Sequence, residues 1–156
     1  MRILCLNGNT TESITARVAD EMRRTLDPSV EVIDGTPEFG PPVIYTRVDL
    51  AAATHAIVDK AMNVSDVDGI MLAVSFDSGR DALREALDLP VIGMTEASVA
   101  MARMNGSRIG YVSLGKSIEP LYWENLHHCH LKEDLAAWET IEAPSAYSSD
   151  LSLIHI

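Results

Sequence analysis

Gly69-Ile70-Met71-Leu72-Ala73-Val74-Ser75-Phe76-Asp77-Ser78-Gly79 is the stretch that decides how this 156-residue chain is read. Ile70 to Val74 is apolar without alternation, the pattern of a strand buried on both faces in a parallel sheet. The chain then turns polar at once. Ser75 to Gly79 is therefore predicted to leave the carboxyl end of a central strand, where open α/β sheets bind their ligands. A helix is predicted from about Arg80 to Leu87, and Pro90 to Gly93 reads as the next short strand.

Working outward, Arg2 to Leu6 is a predicted strand and Asn7 to Thr11 a turn-forming loop. Thr10 or Thr11 is expected to cap a helix from about Glu12 to Leu26, with Ile14, Val18, Met22 and Leu26 on one apolar face. Val30 to Ile33 is the second strand, and Gly35 to Pro42 is a Gly- and Pro-rich loop. An Ala-rich helix from Val48 to Val64 offers Ala52, Ala56 and Ala61 for close packing. After the central strand come a helix from Glu96 to Asn105, capped at Thr95, and a strand from Arg108 to Ser113. A helix from Ser117 to Leu131 and a strand from Trp138 to Ile141 follow. Alternation of this kind predicts an α/β fold with a parallel, doubly wound sheet, flavodoxin-like in its first part.

The segment from Arg108 to Ser117 repeats the grammar of Arg2 to Thr11: a basic residue, an apolar strand, a Gly-containing polar loop and a helix. A first α/β lobe over 1–105 is therefore expected, with the beginning of a second over 106–147, left unfinished. The last residues, 148–156, ending Leu-Ser-Leu-Ile-His-Ile, read as a non-native tail.

A formal net charge of −11 argues against nucleic acid or an anionic membrane surface as a partner. No apolar run approaches the ~18 residues of a membrane span, and no secretory leader is apparent. Cys5 and Cys129 fit neither a disulfide framework nor a CxxC clip, so reduced thiols in a cytoplasmic protein are expected. A homo-oligomer is compatible with the composition.

Among the motifs, the loop Asn7-Gly8-Asn9-Thr10-Thr11-Glu12-Ser13 sits between a strand and a helix, where N–H groups favour an anion. It lacks both GxGxxG and GxxxxGK[ST]. A flavodoxin-type phosphate loop, and with it a flavin-binding module, stays open as an alternative. Ser75 is flanked by Ala73 and Asp77, not by the glycines of a nucleophile elbow, and a phospho-acceptor aspartate is excluded at that position. His127-His128-Cys129-His130 on a helix does not gather ligands on one face, so no metal is expected there. Tyr122 and Trp123 read as packing residues, Tyr122 with the option of facing the cleft.

These pieces together resemble the aspartate/glutamate/hydantoin racemase superfamily. Leu6 to Thr15 is similar to its N-P-N-T-S-x-x-M-T opening, and Phe39-Gly40-Pro41-Pro42 to its G-P loop. Asp68 to Asp77, Leu83-Arg84-Glu85 and Pro90 to Ala97 resemble its first catalytic strand, loop and helix. Arg108 to Ser113 with Pro120 resembles the opening of its second lobe. The likeness runs from residue 1 to about 143, nearest to the hydantoin and allantoin racemase branch.

The resemblance implies a cofactor-free isomerase of two pseudo-symmetric lobes, with a small amino-acid-like or ureido substrate between them. It also implies two cysteines, one removing the α-proton and the other returning one from the opposite face, since thiols are tunable near neutrality. Here the first cysteine's position is Ser75, expected as the catalytic position. The second is expected in the other lobe beyond this chain, Cys129 being too early and on a helix. By the same likeness Asn7, Asn9, Phe76, Asp77 and Ser113 are expected to contact substrate. A serine there also keeps open a one-base relative, such as an arylmalonate-type decarboxylase or maleate-type isomerase, and a non-catalytic ligand-binding relative. This chain alone is expected to be inactive.

Overall fold

In the computed structural model, which describes residues 1–130, 133 and 135–142, two parallel sheets are built in chain order. Strands β1 (Arg2–Asn7), β2 (Glu31–Gly35), β3 (Gly69–Ala73) and β4 (Val91–Gly93) form the first, in the order β2-β1-β3-β4. Strands β5 (Ile109–Leu114) and β6 (Leu135–Ile141) form the second. The helices are α1 (Glu12–Thr25), α2 (Arg47–Met62), α3 (Arg80–Ala86), α4 (Met94–Asn105) and α5 (Glu119–His128), the last preceded by a 3₁₀ turn at Lys116–Ile118. The predicted α/β class and parallel sheet are present, and the strand order is that in which flavodoxin-like sheets begin. The fifth helix ends at His128, short of the expected Leu131; Leu131 itself and the tail over 148–156 lie outside the described residues.

The unbroken apolar run explains why β3 is central. It pairs with β1 on one side and β4 on the other, so both of its faces must be covered. Leu4, Leu6, Ile70 and Leu72 point into one core with Ile57 and Ala53 of α2 and Leu83 of α3. Cys5, Val32 and Ala73 point the other way, against Ala19, Val18, Met22 and Leu26 of α1. On α1 the expected stripe of Ile14, Val18, Met22 and Leu26 is only half-buried, whereas Thr15 and Ala19 are fully buried. Those small residues let the helix lie close to the sheet. On α2 the residue turned inward is Ala53 rather than Ala52, alongside Ala56 and Ala61.

Several helix starts differ from expectation, and the reason is where the capping groups come from. Thr11 occupies the N-cap position of α1, yet its side chain makes no cap. Its hydroxyl donates instead to the Pro42 carbonyl at 2.8 Å, while the Thr10 N–H reaches the Pro41 carbonyl at 3.1 Å. The first loop is thereby tied to the Gly- and Pro-rich loop. Helix α2 begins at Arg47 behind a capping box of Thr46 and Asp49. Helix α4 begins at Met94, so Thr95 lies within its first turn and is not its cap.

The second sheet packs with α4 and α5 through Val99, Ile109 and Leu126. It meets the first through Ile118, Leu121 and Tyr122, which pack against Leu50 and Phe76. On the rim, Arg47 forks onto Glu124 at 2.7 and 2.5 Å. That exposed pair contributes little to stability.

Candidate functional site

At the carboxyl edge of β1 and β3 lies a cleft of about 670 Å³. Its floor is Asn7 and Asn9 of the first loop with Ala73, Val74, Ser75 and Phe76. One wall is Val43, Ile44 and Tyr45, and the other is Leu114, Gly115, Ser117 and Ile118 with Tyr122. Ile14 and Val18 of α1 extend it outward to a charged rim that includes Arg17, Asp20, Glu21, Arg24 and Glu142. An apolar concavity with few polar groups at its floor is the usual form of a small-molecule site.

The first loop is shaped from within. Asn7, only 1% exposed, donates through Nδ2 to Asn9 Oδ1 at 3.1 Å, to Thr15 Oγ1 at 3.0 Å and to the Thr11 carbonyl at 3.3 Å. Its Oδ1 accepts from the Asn9 N–H at 3.3 Å. Asn9 Oδ1 accepts in turn from the Thr11 N–H at 2.9 Å. The Asn7 amide is thus committed to holding the loop, and Asn9, half-buried, is the amide with more surface toward the cleft. Gly8 is required by close approach: a Cβ there would come within 2.7 Å of Val74 Cβ.

Ser75 is half-buried in the turn two residues beyond β3. The Tyr122 phenol lines the cleft with it. Burial raises that phenol above its ordinary value, an effect the Ser75 side chain offsets only in part, so Tyr122 is a neutral group at physiological pH. Phe76 packs against the Tyr122 ring, with centroids 4.8 Å apart. No histidine lines the cleft among the described residues. His55 sits edge-on to Phe39 at 5.1 Å, and His127 and His128 are exposed on α5.

Two of the expected contact residues are elsewhere. Asp77 has a φ of 46° and turns its side chain away from the cleft, into the N-terminus of α4. There its Oδ1 accepts from the Thr95 N–H and its Oδ2 from the Glu96 N–H, each at 2.9 Å. The carboxylate supplies the cap that no neighbour of α4 provides, where a helix end favours negative charge. Burial raises the Asp77 pKa, opposed by the two N–H groups and by Arg80 at 3.8 Å. Ser113 is buried within β5, its hydroxyl paired with that of Thr140 at 2.9 Å. Asn7, Asn9, Ser75 and Phe76 are brought together; Asp77 and Ser113 do not line the cleft.

Neither cysteine stands on the floor. Cys5 is sealed in the sheet, where burial first and Asp34 second push its thiol up to about 11. Cys129 follows α5, 3.9 Å from an Arg80 donor, and its thiol is raised chiefly by burial. Among the described residues no group of three or more His, Cys, Asp or Glu side chains could hold a metal ion, and no helix is long and apolar enough to cross a membrane. Sequence reasoning passed over Val43, Ile44 and Tyr45. The signal was present: an apolar triplet directly after a Gly-Pro loop, with Ile44 only 6% exposed, marks a loop end that packs inward.

A model of the Asp/Glu/hydantoin racemase family matches residues 3–147. The chain belongs to that family. It is 33% identical over 117 residues to a hydantoin racemase of Paenarthrobacter aurescens, covering 73% of this chain and 50% of that protein. A hydantoin racemase of Pseudomonas sp. (strain NS671) is 27% identical over 116 residues, 73% of this chain and 47% of that one. Among solved structures, an allantoin racemase from Klebsiella pneumoniae superposes with a TM-score of 0.90 at 29% identity, over 99% of this chain and 64% of that chain. An allantoin racemase from Pseudomonas fluorescens gives 0.85 at 30% identity, over 90% and 60%. The chain thus spans about half the length of the curated relatives it matches.

Proposed function

We propose that this chain carries one side of a cofactor-independent proton-transfer site for a small amino-acid-like or ureido compound, with Ser75 at the position where the family resemblance puts a thiol. The observation that carries the reading is the cleft floor itself. Ser75, Asn9 and Phe76 meet there at the carboxyl edge of the central strands, beside the Tyr122 hydroxyl. Hydroxyl and amide groups in an apolar cleft are suited to hold a carbonyl or carboxylate oxygen while charge develops at the neighbouring carbon.

Ser75 is not a competent base in this setting. A serine hydroxyl needs an adjacent general base. The Tyr122 phenol in the same cleft is raised by burial, and no histidine lines the cleft among the described residues. Balanced two-base racemisation is therefore disfavoured. The readings it supports are proton transfer on one face only, or ligand binding with Ser75 as a hydrogen-bond donor. Incubation of the full-length protein with each enantiomer of hydantoin and amino-acid substrates in D2O, beside its Ser75→Cys variant, tests this. Deuterium incorporation only in the cysteine variant supports the proposal. Rapid α-deuteration and racemisation from both enantiomers by the serine form overturns it.

A further inference from the structure

The main-chain oxygen of Ser75 lies two residues beyond the central strand, and two side chains from two different helices bond to it. Thr95 Oγ1, in the first turn of α4, donates to it at 2.8 Å. Asn125 Nδ2, on α5, donates at 3.1 Å. Both donors are buried. A carbonyl in the turn after a strand is ordinarily left to a nearby backbone group or to water. A buried asparagine on a helix is costly unless its amide is paired. The Asn125 amide finds that pairing on residue 75.

The arrangement extends to both sides of that carbonyl. Tyr122 and Asn125 are three apart on α5 and so share a helix face. That face meets residue 75 with the amide bonded to its main chain and the phenol lining the same cleft as its side chain. On the other side, Thr95 donates its N–H to Asp77 as well as its hydroxyl to Ser75, so the loop is pinned to α4 at two points two residues apart.

We infer that Thr95 and Asn125 are positioning residues, which fix the side chain at position 75 against the cleft from two helices at once. This rests on the reading of Ser75 as the reacting or ligand-holding position. Neither residue lines the cleft, so both act through Ser75. Asn125, on the helix that packs with the second sheet, makes the placing of residue 75 depend on the docking of α5.

The test uses Ser75→Cys as a reporter, with residue-resolved alkylation by iodoacetamide read by mass spectrometry. Releasing one buried hydrogen bond raises the population of loop openings about five- to tenfold. Adding Asn125→Ala or Thr95→Val should therefore speed labelling of the reporter thiol by that factor. Adding Thr95→Ser, which keeps the hydroxyl, should return the rate to that of the reporter alone. Cys5, sealed in the sheet, should label no faster in any of them. Unchanged labelling of the reporter thiol in Thr95→Val and Asn125→Ala overturns the inference. So does a parallel rise at Cys5, because the network would then be holding the whole fold rather than one position. Should Asn125→Ala fail to fold, the Thr95→Val and Thr95→Ser pair decides alone. No substrate is used, so this result and the deuterium experiment stand or fall separately.

Discussion

Replacing Gly93 by alanine should be far more damaging than its backbone suggests. Gly93 has φ −84° and ψ 142°, which any residue adopts. The obstacle is Asp77: a Cβ at position 93 would lie 2.5 Å from its Oδ1 and 2.6 Å from its Oδ2. The carboxylate must then leave the N–H groups of Thr95 and Glu96. Two hydrogen bonds to a charged acceptor are worth about 1.5–3 kcal/mol each. Arg80, 3.8 Å away, offers the displaced carboxylate partial compensation, so a net loss of about 2–4 kcal/mol is expected. That is a large share of a stability of about 5–15 kcal/mol. Asp77→Ala alone should cost a similar amount, because it orphans the same two donors. The double variant separates this account from general crowding: with the carboxylate gone, the new methyl has space, and the combined loss should fall short of the sum by about 1–2 kcal/mol. Urea denaturation of all four proteins measures each term. A loss below about 0.5 kcal/mol for Gly93→Ala, or strict additivity in the double variant, would refute the reasoning.

Three further outcomes follow from the same geometry. Leu72, 0% exposed in β3, should cost about 2–5 kcal/mol when cut to alanine, measurable by the same denaturation. The Asp49 carboxylate, held by the Tyr45 N–H at 3.0 Å and by the Thr46 hydroxyl and N–H at 2.9 Å each, has a depressed pKa, owed first to the Tyr45 bond. Its contribution is complete above the unfolded value of ~3.9 and lost as pH falls through the lower folded value. Asp49→Asn should thus destabilise by about 1 kcal/mol at neutral pH and converge on the parent protein in acid; a constant gap across pH would contradict this. Finally, with Cys5 buried and its thiol pushed up to about 11, native protein at neutral pH should label with a thiol reagent at Cys129 first and at Cys5 only on unfolding. Equal rates would show that the sheet opens more freely than its packing implies.

What was legible in the sequence was what local pattern controls. The unbroken run at Ile70 to Val74 placed a central strand, and the alternation around it placed a parallel sheet. Boundaries failed wherever a partner came from afar. The cap of α4 is Asp77, seventeen residues before its first helical residue, so no window of sequence around Thr95 shows it. The choice of Ala53 over Ala52 turns on helix phase, and in a helix with alanine at both positions composition does not fix the phase.

The site divides along the same line. Asn7, Asn9, Ser75 and Phe76 follow adjacent strands, β1 and β3, that end at one edge, so their loops were bound to meet. Asp77 is only two residues beyond Ser75, yet its positive φ reverses the chain and sends the carboxylate to α4. Proximity in sequence says nothing of direction once a turn intervenes. That reversal bears on the chemistry we propose. It removes the nearest carboxylate from Ser75 and leaves Asp20, Glu21 and Glu142, near the rim, as the acids lining the cleft. Beside a neutral phenol, Ser75 has hydrogen-bonding capacity but no base to activate it, whereas a free thiol ionises near ~8.5 without one. On the proposed reading the same side-chain position is passive as serine and reactive as cysteine, and the difference resides in one atom rather than in the scaffold around it.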